Sequence, residues 1–190
     1  MSDDLVTRRL GEAAQASAAL AGLAPAVAAA GEALVACYRA EGKAILLGNG
    51  GSAAQAAHLA AEFVGRYLRD RPPLPALSLL DNHSAVTAIG NDYGYESSFA
   101  RQVQAHACPG DVVIGLTTSG RSPNVVEALR AGRERGAATI GLAGRSGNDL
   151  GDVSDHLLLV PSDDTPRIQE GHLVIGHTLC EIVESALFPE

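Results

Sequence analysis

The chain has 190 residues, 46% of them apolar and 19% charged. Those proportions suit one globular domain with a full core and exclude extended disorder. A formal charge of −8, with the basic residues dispersed, excludes a general nucleic-acid surface, which needs a basic stripe against the phosphates. A small anion stays compatible, because backbone N–H groups can hold a phosphate whatever the net charge.

Cys37, Cys108 and Cys180 are far apart and odd in number, which fits reduced thiols in the cytoplasm better than a disulfide framework. The opening MSDDLVTRRL has acids first and no apolar run behind a basic start, so it does not read as a secretory signal. Residues 3–41 carry a helical pattern. Leu5, Leu10, Ala14, Ala18 and Leu20 mark one amphipathic helix, and Val27, Leu34, Val35 and Tyr38 a second. Pro25 punctuates them near a first-turn position. The stretch from Ala18 to Cys37 reads as too interrupted by Pro25, glycines and a glutamate to span a bilayer.

A short apolar run at 43–48, KAILLG, predicts a buried strand, and 52–67 a long helix. RDRPPLP is a loop, and 76–80 a second strand. Short helices are expected at 82–89 and 99–107. DVVIGLT, at 111–117, is the clearest strand and feeds a helix over 123–135. Strands follow at 138–142 and 156–160, and a closing helix covers 167–187. Strands alternating with helices predict an α/β fold of flavodoxin type, with a five-stranded parallel sheet covered on both faces. The helices of residues 1–42 read as an extension of that one domain.

In such sheets ligands collect at the carboxyl ends of the strands. Two ends here are rich in Gly, Ser and Thr: GNGGS (48–52) and TTSGRS (117–122). Both lead into helix N-termini, where unpaired N–H groups and the helix dipole favour an anion. Neither is a P-loop, since no GK[ST] follows. Ser52 and Ser122 would serve equally as helix N-caps. A sugar phosphate suits a pair of such loops, one for the phosphate and one for hydroxyls. His58 and Glu62 share a helix face at a spacing of four, and Gln169, Leu173 and His177 form a similar row. These N and O donors suit a divalent ion of the zinc type. Taken alone, His58 and Glu62 read first as a helix-surface pair, Gln169 as a partly exposed helix residue and His177 as a satisfied core or interface histidine.

Four blocks in order, GNGGSAAQAAHLAAEFVGRY, AIGNDYGYE, TTSGRSPNV and TPRIQEGHLVIGH, resemble the sedoheptulose 7-phosphate isomerases of the SIS (sugar isomerase) domain family. The likeness runs over nearly the whole chain. It implies conversion of D-sedoheptulose 7-phosphate to D-glycero-D-manno-heptose 7-phosphate through an enediol(ate), the first step of a lipopolysaccharide-core or related heptose pathway. It implies one zinc per subunit on His58, Glu62, Gln169 and His177, with Glu62 and His177 as the acid–base pair. Substrate contacts carry over to Asn49, Gly50, Gly51, Ser52, Glu62, Asn91, Asp92, Thr117, Thr118, Ser119, Ser122 and Gln169. A cytoplasmic homotetramer follows from the same resemblance, with residues 1–42 used in assembly, Arg66 reaching a neighbour's site, and neither nucleic acid nor membrane as partner. Many relatives carry an acid where this chain has Gln55. His83, His106, His156 and His172 match no motif and read as structural or solvated. The competing readings are a non-catalytic SIS regulator of replication initiation, an etherase, and an isomerase of a secondary-metabolite sugar phosphate.

Overall fold

The computed structural model describes residues 3–189. Two helices open it, α1 (Asp3–Ala19) and α2 (Ala24–Arg39), joined by a 3₁₀ turn at Leu20–Leu23. The remaining elements follow as β1 (Ala44–Gly48), α3 (Gly51–Val64), β2 (Ala76–Ser78), α4 (His83–Tyr93) and α5 (Ala100–His106). The chain then runs through β3 (Val112–Leu116), α6 (Pro123–Glu134), β4 (Ala138–Ala143), β5 (His156–Leu159) and α7 (Thr165–Leu187). All strand pairs are parallel, in the order β2-β1-β3-β4-β5. This is the flavodoxin-like order expected from the alternating pattern, with its direction reversing between β1 and β3.

The strands read as unbroken apolar runs because both faces are covered. Leu46, Ile114 and Leu142 point to one face, where α2, α3 and α7 supply Leu34, Leu59, Phe63 and Leu179. Ile45, Leu47 and Val113 point to the other, against Phe99, Val103, Val125 and Leu129 of α5, α6 and the turn before α5. α2 is thus part of the core and not an appendage. α1 is different: Leu5, Val6 and Leu10 stand exposed on it.

Pro25 lies near a first-turn position, as the sequence pattern placed it. It occupies the first turn of α2, where its missing N–H costs nothing. Helical conformation therefore runs from Asp4 to Arg39, a stretch long and apolar enough to cross a membrane by length and composition. The inner face of α2, with Val27, Ala30 and Leu34, is buried in this chain's own core. Three 3₁₀ turns, at Leu20–Leu23, Tyr95–Ser97 and Asn148–Val153, carry no sequence period of their own and were not anticipated.

Candidate active site at the sheet switch point

The two Gly/Ser/Thr loops leave adjacent strands. β1 pairs with β3, and Gly48 lies in register with Leu116. GNGGS and TTSGRS therefore face one crevice at the point where strand order reverses, the usual ligand position in open parallel sheets.

The loop serines do not act as caps. Gly50 takes the N-cap position of α3 at φ 54°, leaving Ser52 as a buried residue of the first turn. Ser122 sits at the N-cap of α6 but makes no capping bond. Its hydroxyl lies 2.9 Å from Thr117 Oγ1, which is 3.4 Å from Ser119 Oγ. Three hydroxyls thus converge on one small region, with the first turn of a twelve-residue helix behind them. The loop's shape depends on Gly120, whose φ is +68° and where a Cβ would collide with the Gly147 carbonyl.

Asn49 is held from two sides. Its amide exchanges reciprocal hydrogen bonds of 2.8 and 2.9 Å with the buried Asn124, and the Tyr95 hydroxyl donates to its Oδ1 at 2.9 Å. Asn124 and Tyr95 lie inside recognisable blocks, yet nothing in their spacing announced this role. Asn91 and Asp92 are exposed near the end of α4, and the Asn91 amide donates to Asp92 at 2.8 Å. Tyr95, just after that helix, ties their segment to Asn49.

The second constellation forms between α3 and α7. His58 Nε2 is 2.9 Å from His177 Nε2 and 3.6 Å from Glu62 Oε1. One ligand atom from each of the three residues lies within 4.8 Å of the others. Tetrahedral zinc with bonds of roughly 2.0–2.2 Å sets ligand atoms roughly 3.4 Å apart. The group fits such an ion with small side-chain movements, so these residues can hold a metal.

Gln169 stands elsewhere. A Cβ on Gly51 would fall 2.5 Å from its Nε2, which places its amide against the β1 loop. Eight residues of helix, about 12 Å, separate it from His177. The Gln169 amide lies against Gly51, at the start of α3. Gln55 reaches across from α3 and donates to the Gln169 carbonyl at 2.7 Å.

The other histidines divide as expected. His83 and His106 are exposed and His156 is half-buried. His172 is fully buried, and burial pushes its pKa down to about 4. The Ala143 backbone offsets this only in part, and neither ring nitrogen completes a hydrogen bond. Arg66 is exposed just beyond α3.

A family model described as the SIS domain matches residues 12–144. The chain is 52% identical over 164 residues to a phosphoheptose isomerase of Rhodospirillum rubrum, covering 86% of this chain and 87% of that one. It is 49% identical over 188 residues to a phosphoheptose isomerase of Pelobacter propionicus, covering 99% and 100%. The solved phosphoheptose isomerase of Francisella tularensis superposes with a TM-score of 0.93 at 35% identity, covering 97% of this chain and 100% of that one.

Proposed function

We infer the activity from one premise: the chain belongs to the phosphoheptose isomerases, enzymes of the SIS-domain family. It is an aldose–ketose isomerase that converts sedoheptulose 7-phosphate to the matching aldose phosphate, D-glycero-D-manno-heptose 7-phosphate, for heptose biosynthesis. The observation that carries this reading is the pairing of a hydroxyl-lined loop at the sheet switch point with a carboxylate and a histidine converging from α3 and α7.

The reaction removes a weakly acidic C–H proton beside a carbonyl and returns a proton to the neighbouring carbon. Glu62 carries that proton, since one carboxylate facing the enediol plane reaches both carbons. His177 handles the proton on the sugar oxygens, since an imidazole nitrogen can both give and accept a proton. Thr117, Ser119 and Ser122, with the N–H groups opening α6, hold the phosphate. Asn49, Gly50, Gly51, Ser52, Thr118 and Gln169 line the sugar, with Asn91 and Asp92 contributing from α4.

Zinc is the ion we assign to His58, Glu62 and His177. When bound it would stabilise the negative charge that builds on the substrate oxygen. Glu62 has two oxygens, so it can ligate with one and move a proton with the other. Protein purified without chelator should contain close to one zinc per chain by elemental analysis. Less than a tenth of an ion, with no uptake on adding zinc, would overturn the metal assignment.

The activity itself is tested by following sedoheptulose 7-phosphate with the purified protein by NMR. Appearance of the aldose phosphate is expected, and its absence with and without added zinc would overturn the reading.

A further inference from the structure

The segment after α3, RYLRDR at 66–71, is held by a buried ion pair that the proton chemistry does not use. Arg71 and Glu184 are both buried, with Nε donating to Oε1 at 2.9 Å. Glu184 also accepts the backbone N–H groups of Tyr67, Leu68 and Arg69 at 2.8, 2.9 and 3.0 Å. Arg71 turns its remaining donors to the last carbonyls of α3, Phe63 O at 2.8 Å and Glu62 O at 2.9 Å. One pair therefore closes the end of the helix that bears His58 and Glu62 and fixes the path of the chain beyond it.

Glu184 stands two turns after His177 on the same face of α7. Fixing the Tyr67 backbone at Glu184 lays the Tyr67 ring on the His177 imidazole, with centroids 5.3 Å apart and planes 22° from parallel. The His58 ring meets the same imidazole edge-on at 5.2 Å. Rotation about the last torsion of a histidine is otherwise broad, so until an ion binds, these two neighbours are what restrict the arc of His177 Nε2. A small misplacement of a reacting group costs on the order of 10²-fold in rate.

We propose that Tyr67 is a positioning residue for this reaction: its ring, anchored through the Arg71–Glu184 pair, sets the orientation of the His177 imidazole. This rests on His177 acting in proton transfer as described above. The ring, not the hydroxyl, does the work.

The test compares Tyr67→Phe and Tyr67→Ala in the full-length, zinc-loaded protein, with thermal unfolding confirming the fold. Tyr67→Ala should lose tenfold or more in kcat with KM within twofold, because the phosphate loop is untouched, and Tyr67→Phe should stay within twofold in both. In parallel, the His177 ring protons, assigned with His177→Gln, should sit upfield in the wild type and in Tyr67→Phe and move downfield in Tyr67→Ala. Wild-type kcat in Tyr67→Ala, an equal loss in Tyr67→Phe, a KM rise matching the kcat loss, or unmoved ring protons would each overturn the proposal. Were the wild-type chain inactive on sedoheptulose 7-phosphate, the functional reading would fail by itself, and the ring-proton arm would still decide the stacking.

Discussion

Glu62 and His177 approach each other from different helices, and the tasks proposed for them are separable by substitution. Glu62→Gln and His177→Gln are near-isosteric and should keep the fold while losing at least about 10²-fold in turnover. The discriminating measurement is hydrogen exchange at C1 of the substrate in heavy water. Exchange at the wild-type rate in Glu62→Gln would assign the base elsewhere. Ser122 makes a second prediction at this scale. Its hydroxyl is not committed to capping, so under the proposed phosphate site Ser122→Ala would remove a charge-assisted bond worth roughly 1.5–3 kcal/mol. The Michaelis constant should rise tenfold or more with little change in helix stability. A drop in thermal stability with unchanged KM would mean that the serine serves α6 after all.

The loops and helix ends carry consequences of their own. Gly120→Ala places a Cβ against the Gly147 carbonyl at a positive φ, which should destabilise the chain by about 1–3 kcal/mol and displace the phosphate loop. Unfolding by denaturant together with KM would report both effects. Stability should also depend on pH in two windows. His172 has a folded pKa of about 4, below its ordinary 6.5. The unfolded chain therefore binds a proton first, and stability falls as pH drops from about 6.5 to 4, by roughly 3 kcal/mol at about 1.4 kcal/mol per unit. Glu184 is opposed by burial, but the Tyr67, Leu68 and Arg69 N–H groups and the Arg71 guanidinium outweigh this and hold its pKa down. Its contribution is present above the unfolded carboxylate range and is lost as pH falls through the folded pKa. Thermal midpoints across pH should thus be lowered first by His172 and then by Glu184, and His172→Leu should flatten only the upper window.

At the scale of the whole molecule, α1 presents Leu5, Val6 and Leu10, the end of α3 presents Val64 and the edge strand β2 presents Leu77. Apolar surface of this kind favours assembly, and we propose a homotetramer in which residues 1–42 take part. Light scattering at micromolar concentration should give about four chains per particle, and a monomer would refute it. Much of the fold follows from local pattern. Unbroken apolar strands, helices of period 3.6 and glycines at strand ends are all short-range signals, and they place the parallel strands and the two loops. His58, Glu62 and His177 were visible as helix-face spacing, but only resemblance suggested roles for them, because a His and a Glu four apart also describe an ordinary surface pair. The tertiary structure decided what depends on elements distant in the chain. It turned Ser52 and Ser122 away from capping and set the Gln169 amide against Gly51. It also joined Glu184 to Arg71, 113 residues away, and laid Tyr67 on His177. Contacts of that kind have no sequence period, since they are set by how α3 and α7 dock on the sheet. The residues themselves carry no record of that distance until the core has closed.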